Sequence, residues 1–159
     1  MEYTIRAARP EDMGAVLSLI RELAEFEREP DAVEIDREDL IEDGFNRGLF
    51  HCFVADTGDG IGGMALIYPR YSTWKGPAIH LEDLIVAKRM RGSGLGTALL
   101  DQVVRHAHEL GANRICWEVL DWNEDAITFY EKKGARVLRD WDVVQLDRNG
   151  IENYLEGLE

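Results

Sequence analysis

The chain has 159 residues, the length of about one domain, and its 45% hydrophobic and 31% charged content excludes disordered and fibrous classes. Its 18 basic and 31 acidic residues leave a net charge of −13. That charge argues against binding nucleic acid or anionic lipid, which need a basic face, and favours a cationic small molecule or basic peptide.

Tyr3 to Ala7 reads as a short strand. Pro10 suits a first helical position, with Glu11 and Asp12 favourable in the first turn. Met13, Val16, Leu17, Ile20, Leu23 and Ala24 then recur at helical spacing. After an acidic loop over Glu27–Glu34, a second helix is predicted from about Asp36, with Leu40 and Ile41 inward, stopping near Gly44. Phe50–Ala55 and Ile61–Tyr68 read as strands joined by a hairpin at Thr57-Gly-Asp-Gly. Pro69–Pro77 reads as a polar and aromatic loop, and Ala78–Val86 as the next strand, apolar throughout at Leu84-Ile85-Val86.

A glycine-rich turn at Arg91–Gly96 opens a helix running to Leu110, with Leu95, Leu99, Val103, His106 and Leu110 on one face and Gly111 at its C-terminus. Arg114–Val119 is a predicted strand, and Asn123 or Glu124 starts a short helix ending at Gly134. Two closing strands are predicted near Arg136–Leu138 and Trp141–Leu146. The order defines one mixed α/β domain over residues 1–159.

Cys52 and Cys116 are far apart and in apolar runs, which predicts free thiols rather than a disulfide framework or zinc cluster. His51, His80, His106 and His108 form no metal-ligand set, so no metal is expected, and His80 reads as a structural histidine. No apolar run approaches the ~18 residues of a membrane span, and no signal-peptide stretch opens the chain, so a cytoplasmic location is expected.

The strongest chemical signal is Arg91-Gly92-Ser93-Gly94-Leu95-Gly96, placed between an apolar strand and a helix. Glycines there admit positive φ and a close ligand, and the free N–H groups of the first helical turn face an anion. No Gly-Lys-Ser/Thr follows, which excludes a Walker loop, and Thr97 stands where a dinucleotide fingerprint needs glycine. Lys88, Arg89 and Arg91 suit a diphosphate ligand.

Val86 to Gly96, with its RGxGxG run, resembles the acetyl-CoA-binding motif of the GCN5-related N-acetyltransferase (GNAT) superfamily. Asn123-Glu-Asp-Ala-Ile-Thr-Phe-Tyr130, followed by Lys133-Gly134-Ala135, resembles the second half of that family's pattern. Within the family, Glu22-Leu-Ala-Glu-Phe-Glu27, Leu40-Ile-Glu-Asp-Gly-Phe45, Leu81-Glu-Asp83 and Trp122-Asn123 are similar to the spermidine/spermine and thialysine acetyltransferase branch. Tyr71–Gly76 and Val119–Asn123 look more like the thialysine type, and Ser72 stands where polyamine acetylases carry an acidic residue.

The resemblance implies a GNAT fold, a mostly antiparallel mixed sheet flanked by helices, and direct acetyl transfer from acetyl-CoA to a small cationic primary amine. Cofactor contacts fall on Leu84, Ile85, Val86, Arg91, Gly92, Ser93, Gly94, Leu95, Gly96, Thr97, Asn123, Ala126 and Tyr130. A homodimer is implied by the branch. An alkyl ammonium must lose a proton before it attacks a thioester. Glu82 matches the family's base position, with a strand-face carboxylate in a salt bridge as its other reading. Strand alternation would put Asp83 on the opposite face, in a structural role. Tyr130 matches the acid that protonates the leaving thiolate, and a backbone N–H at Leu84 or its neighbour would face the oxyanion. Glu27 and Trp74 are the candidate amine contacts beside Glu82. The rivals are a peptide or protein acetyltransferase and a non-catalytic acyl-CoA sensor, the latter needing neither Glu82 nor Tyr130.

Overall fold

A computed structural model describes residues 2–158. The chain divides into two compact units, one ending at Glu118 and one beginning at Val119.

In the first unit, strand β1 (Thr4–Ala7) leads through a 3₁₀ turn at Pro10–Asp12 into helix α1 (Met13–Phe26). Arg6 fixes this entry: its guanidinium donates to both Asp12 carboxylate oxygens at 2.8 and 3.0 Å and to Asp56 at 3.0 Å. Helix α2 (Arg37–Ile41) is capped by Asp36, whose carboxylate accepts from the Asp39 N–H at 2.8 Å. One π-helical turn (Glu42–Asn46) continues it and ends close to Gly44. Three long strands follow, β2 (His51–Asp56), β3 (Ile61–Ser72) and β4 (Gly76–Val86), then a 3₁₀ turn (Lys88–Met90), helix α3 (Leu95–Glu109) and the two-residue β5 (Ile115–Cys116).

The sheet order is β1-β2-β3-β4-β5, antiparallel except for the parallel β4/β5 pair. Cys52–Ala55 and residues 62–67 are buried at every successive position, so both faces of the sheet centre are covered. Helix α1 packs on β3 and β4, and α3 on β2, β3 and β4. Met13, Val16, Val54, Met64, Ile67, Leu81, Leu95, Leu99 and Val103 are the largest fully buried side chains of the core. Gly63 permits this packing. A Cβ there would lie 2.8 Å from the Ile85 carbonyl oxygen and 3.1 Å from Leu99 Cδ1.

Four expectations change. The segment expected to be a loop over Pro69–Pro77 is strand up to Ser72, and only a tight turn separates β3 from β4. Ser72 closes that turn by accepting from the Trp74 and Lys75 N–H groups at 3.2 and 3.1 Å. The strand expected over Arg114–Val119 shrinks to two residues. On α3 the apolar face ends early, because Leu110 is 60% exposed.

The fourth change lies in the second unit, which holds α4 (Glu124–Lys132) and α5 (Arg148–Glu156). Neither closing strand forms. Residues 136–146 carry no strand among the described residues and are broken by a turn at 139–140, and a strand has no stability unless its backbone groups pair. Helix α5 was not expected, although its local signals are present in the sequence. Asp147 caps it by accepting from the Gly150 N–H at 2.8 Å, and Arg148 pairs with Glu152 one turn on at 2.9 Å.

Candidate active site

The register between β3 and β4 slips by one residue: Ile67 pairs with Leu81 and Leu66 with Asp83, which leaves Glu82 as a β-bulge. Residues paired across an antiparallel ladder share a face, and alternate residues of a strand do too. Leu66 and Tyr68 therefore lie on one face of β3, with Asp83 and His80 opposite them and Glu82 following His80. The expectation that Asp83 faces away from Glu82 is corrected: the bulge breaks the alternation, and both carboxylates line one cavity.

That cavity measures about 650 Å³. Ile20, Leu40, Phe50 and Leu66 supply apolar walls, and Glu34, Asp43, Glu82 and Asp83 supply carboxylates. Glu82 is held from two sides, by the Tyr68 hydroxyl donating at 3.1 Å and by His80 Nε2 at 3.4 Å. Arg70 Nη1 lies 3.5 Å from His80 Nδ1. A guanidinium only donates, so this contact is a hydrogen bond only where Nδ1 accepts, which leaves Nε2 to face Glu82. His80, buried and read from the sequence as structural, thus stands in contact with the candidate base. Tyr68 was not singled out in the sequence; the hairpin register, once known, places it across from His80.

Burial pushes the Asp83 carboxyl up to about 7, helped by the neighbouring charges of Glu82 and then Glu27. Burial also raises the Glu27 carboxyl. The Tyr68 hydroxyl is pushed up to about 12, first by burial and then by Glu82. Glu27 closes the C-terminal end of α1. Trp74 sits at the hairpin tip, 79% exposed and outside the cavity lining. Cys52, buried and with its thiol pushed up to about 12 by desolvation, offers no thiolate.

An aspartate that ionises at 3.8 when unfolded and near 7 when folded binds its proton more tightly in the folded chain. Stability therefore falls as pH rises from about 4 to about 7 and is level above. Asp83→Asn removes this term. The variant is expected to exceed the parent in stability at about pH 8 by on the order of 2–4 kcal/mol, with the gap closing near about pH 4. Thermal melts at the two pH values check this, and an offset equal at both would exclude the titration.

The basic and glycine-rich segment follows β4 directly. Gly92 and Gly94 adopt φ of +76° and +87°, and Gly94 is the N-cap of α3. A Cβ at either position would meet nothing within 4 Å, so glycine is required there by the left-handed backbone and the space beside it is open. The first intrahelical bond is Ala98 N–H to Gly94 O at 3.0 Å, so the N–H groups of Leu95, Gly96 and Thr97 precede the ladder. Ser93 Oγ donates to the Met90 carbonyl and braces the turn. In the strand before it, Ile85 is a core residue, 4% exposed, while Leu84 and Val86 are half-buried.

In the second unit, Asn123 caps α4 through its side-chain oxygen, which accepts from the Ala126 N–H at 3.3 Å. Asn123, Ala126, Ile127 and Tyr130 form the less exposed face of that helix. Among the described residues no group of His, Cys, Asp and Glu is arranged to hold a metal ion. No helix there is long and apolar enough to cross a membrane.

A bulged carboxylate strand that runs into a glycine-capped helix N-terminus suits transfer of an acyl group from an anionic carrier to a cationic acceptor. Residues 15–135 match the acetyltransferase (GNAT) family, and the chain belongs to it. It is an acyltransferase of the α/β class with the fold expected for that family. Among named relatives it is 41% identical to the thialysine N-epsilon-acetyltransferase of Bos taurus over 145 residues, 86% of this chain and 85% of that protein. It is 32% identical over 162 residues to the human spermidine/spermine N(1)-acetyltransferase-like protein 1, covering 97% of this chain and 23% of that longer protein. An integron cassette protein of V. cholerae shares the fold at a TM-score of 0.79 and 21% identity, covering 98% of this chain and 99% of that one.

Proposed function

We propose that this chain, as one catalytic domain, transfers acetyl from acetyl-CoA directly to a small cationic primary amine of the diamine or thialysine type. The observation that carries this reading is the bulge that turns Glu82 and Asp83 together into an apolar-walled cavity, on the strand that leads into the glycine turn.

The residues fit acetyl-CoA. Its pyrophosphate would be held by the N–H groups of Gly94–Thr97 and by Arg91, and its acyl arm would lie along the backbone of Leu84–Val86. When bound it supplies the activated acetyl thioester. This chain's part is to draw in the ammonium with its carboxylates, remove one proton at Glu82, and present a backbone N–H near Leu84 to the developing negative oxygen. Tyr130 is proposed as the acid for the thiolate on the strength of the Asn123–Tyr130 motif, with Asn123 and Ala126 as cofactor neighbours. Glu27 is proposed as a second anchor for the cation through its closeness to Asp83. We place the enzyme in the cytoplasm as a homodimer, in keeping with its branch.

CoA release on a panel of amines tests the proposal. Short diamines and thialysine-like amines are expected to outperform spermine, since Ser72 is committed to the hairpin turn and brings no charge. Added salt is expected to lower kcat/KM by weakening attraction to a chain of net charge −13. A clear preference for spermine or for a peptide amine overturns the assignment.

A further inference from the structure

Helix α1 reaches the start and the end of the basic segment with two residues one turn apart. The Glu22 carboxylate accepts from the Lys88 N–H, with both oxygens at 3.3 Å. Four residues later, on the same face, the Phe26 ring lies beneath Arg91, with the guanidinium carbon 5.4 Å from the ring centroid. Between these contacts the 3₁₀ turn Lys88–Met90 carries the chain from the end of β4 to the glycines. Phe26 is the last residue of α1 and stays 41% exposed, so its ring serves the surface of the loop rather than the core.

An arginine side chain is long, and its planar fork binds a diphosphate well only when it is already oriented. A ring face attracts the guanidinium through its quadrupole and leaves the N–H edges free to donate outward. Neither Glu22 nor Phe26 is assigned any part in cofactor handling by the motifs or by the chemistry above.

We propose that Phe26 is a positioning residue for the anionic ligand of the glycine turn: its ring holds the Arg91 guanidinium ready for the pyrophosphate, while Glu22 anchors the other end of the same loop. This rests on the reading of the turn as the acetyl-CoA pyrophosphate site.

The test is a double-mutant cycle with acetyl-CoA binding read by calorimetry. Phe26→Leu is expected to weaken acetyl-CoA binding by about two- to fivefold, with kcat and the amine KM unchanged. Phe26→Trp restores the affinity, because a better ring replaces the lost one. In an Arg91→Ala background, Phe26→Leu causes no further loss. S-acetylpantetheine, an acetyl thioester without the pyrophosphate, is used equally well by the parent and Phe26→Leu. If Phe26→Leu weakens binding as much without Arg91 as with it, or impairs S-acetylpantetheine equally, Phe26 is a packing residue and the proposal fails. If Arg91→Ala leaves acetyl-CoA affinity unchanged, the pyrophosphate reading of the turn fails as well, so the two failures are distinguishable.

Discussion

Glu82→Gln is expected to lower kcat/KM at about pH 7 by ~10²–10⁴-fold, the usual worth of a positioned base. The substitution keeps the size of the side chain and a carbonyl oxygen able to accept from the Tyr68 hydroxyl, which now donates at 3.1 Å. It removes the charge that draws the ammonium in and the lone pair that takes its proton. Near about pH 10 more of the amine is neutral in solution, so the ratio of parent to variant rates should narrow as pH rises. The neighbour gives a second readout. Glu82 is one of the charges that hold the Asp83 carboxyl up near 7, after burial itself. Its removal therefore shifts the Asp83 titration downward, and NMR of the Asp83 carboxyl would follow that movement. A ratio flat from about pH 7 to about pH 10 would sink the assignment. Glu82 would then serve only to tie Tyr68 and His80 together.

Tyr130→Phe is expected to reduce kcat by a similar ~10²–10⁴-fold, with acetyl-CoA affinity little changed. The phenyl ring remains, so the contact with Phe129, whose ring centroid lies 5.5 Å away, is kept. Only the hydroxyl that would protonate the leaving thiolate is lost. Rapid-quench measurement of a single turnover separates this step from product release. A variant that retains most of its single-turnover rate would leave Tyr130 as a packing residue of α4.

Local signals account for much of what the sequence disclosed. The stripe through Met13, Val16 and Leu17 faces the core, although Leu19 is buried as well and was not part of it. Positive φ at Gly92 and Gly94, the capping of α4 by Asn123 and the turn at Gly134 all depend on residues adjacent in sequence, and each could be read from the chain. The two halves of the acetyltransferase pattern are equally local, since each is a turn that begins a helix.

Pairing across strands was beyond that reach. Alternation assigns faces only while the ladder keeps step, and one slip between Leu66 and Ile67 reverses the assignment of Asp83. No residue near Glu82 announces that slip, because its cause lies in the register of β3, some 15 residues earlier in the chain. The same holds for Tyr68, which gains significance only from facing His80 and Glu82, and for Phe26, which meets Arg91 through the packing of α1 on β4. The chain alone was enough to give the class of protein, the candidate anion-binding turn and the candidate acid and base, since these rest on short-range backbone requirements and motif spacing. The tertiary structure alone decided that a second carboxylate shares the cavity and resists ionisation, because desolvation and like-charge repulsion depend on what packs around a group, whatever stands beside it in the chain.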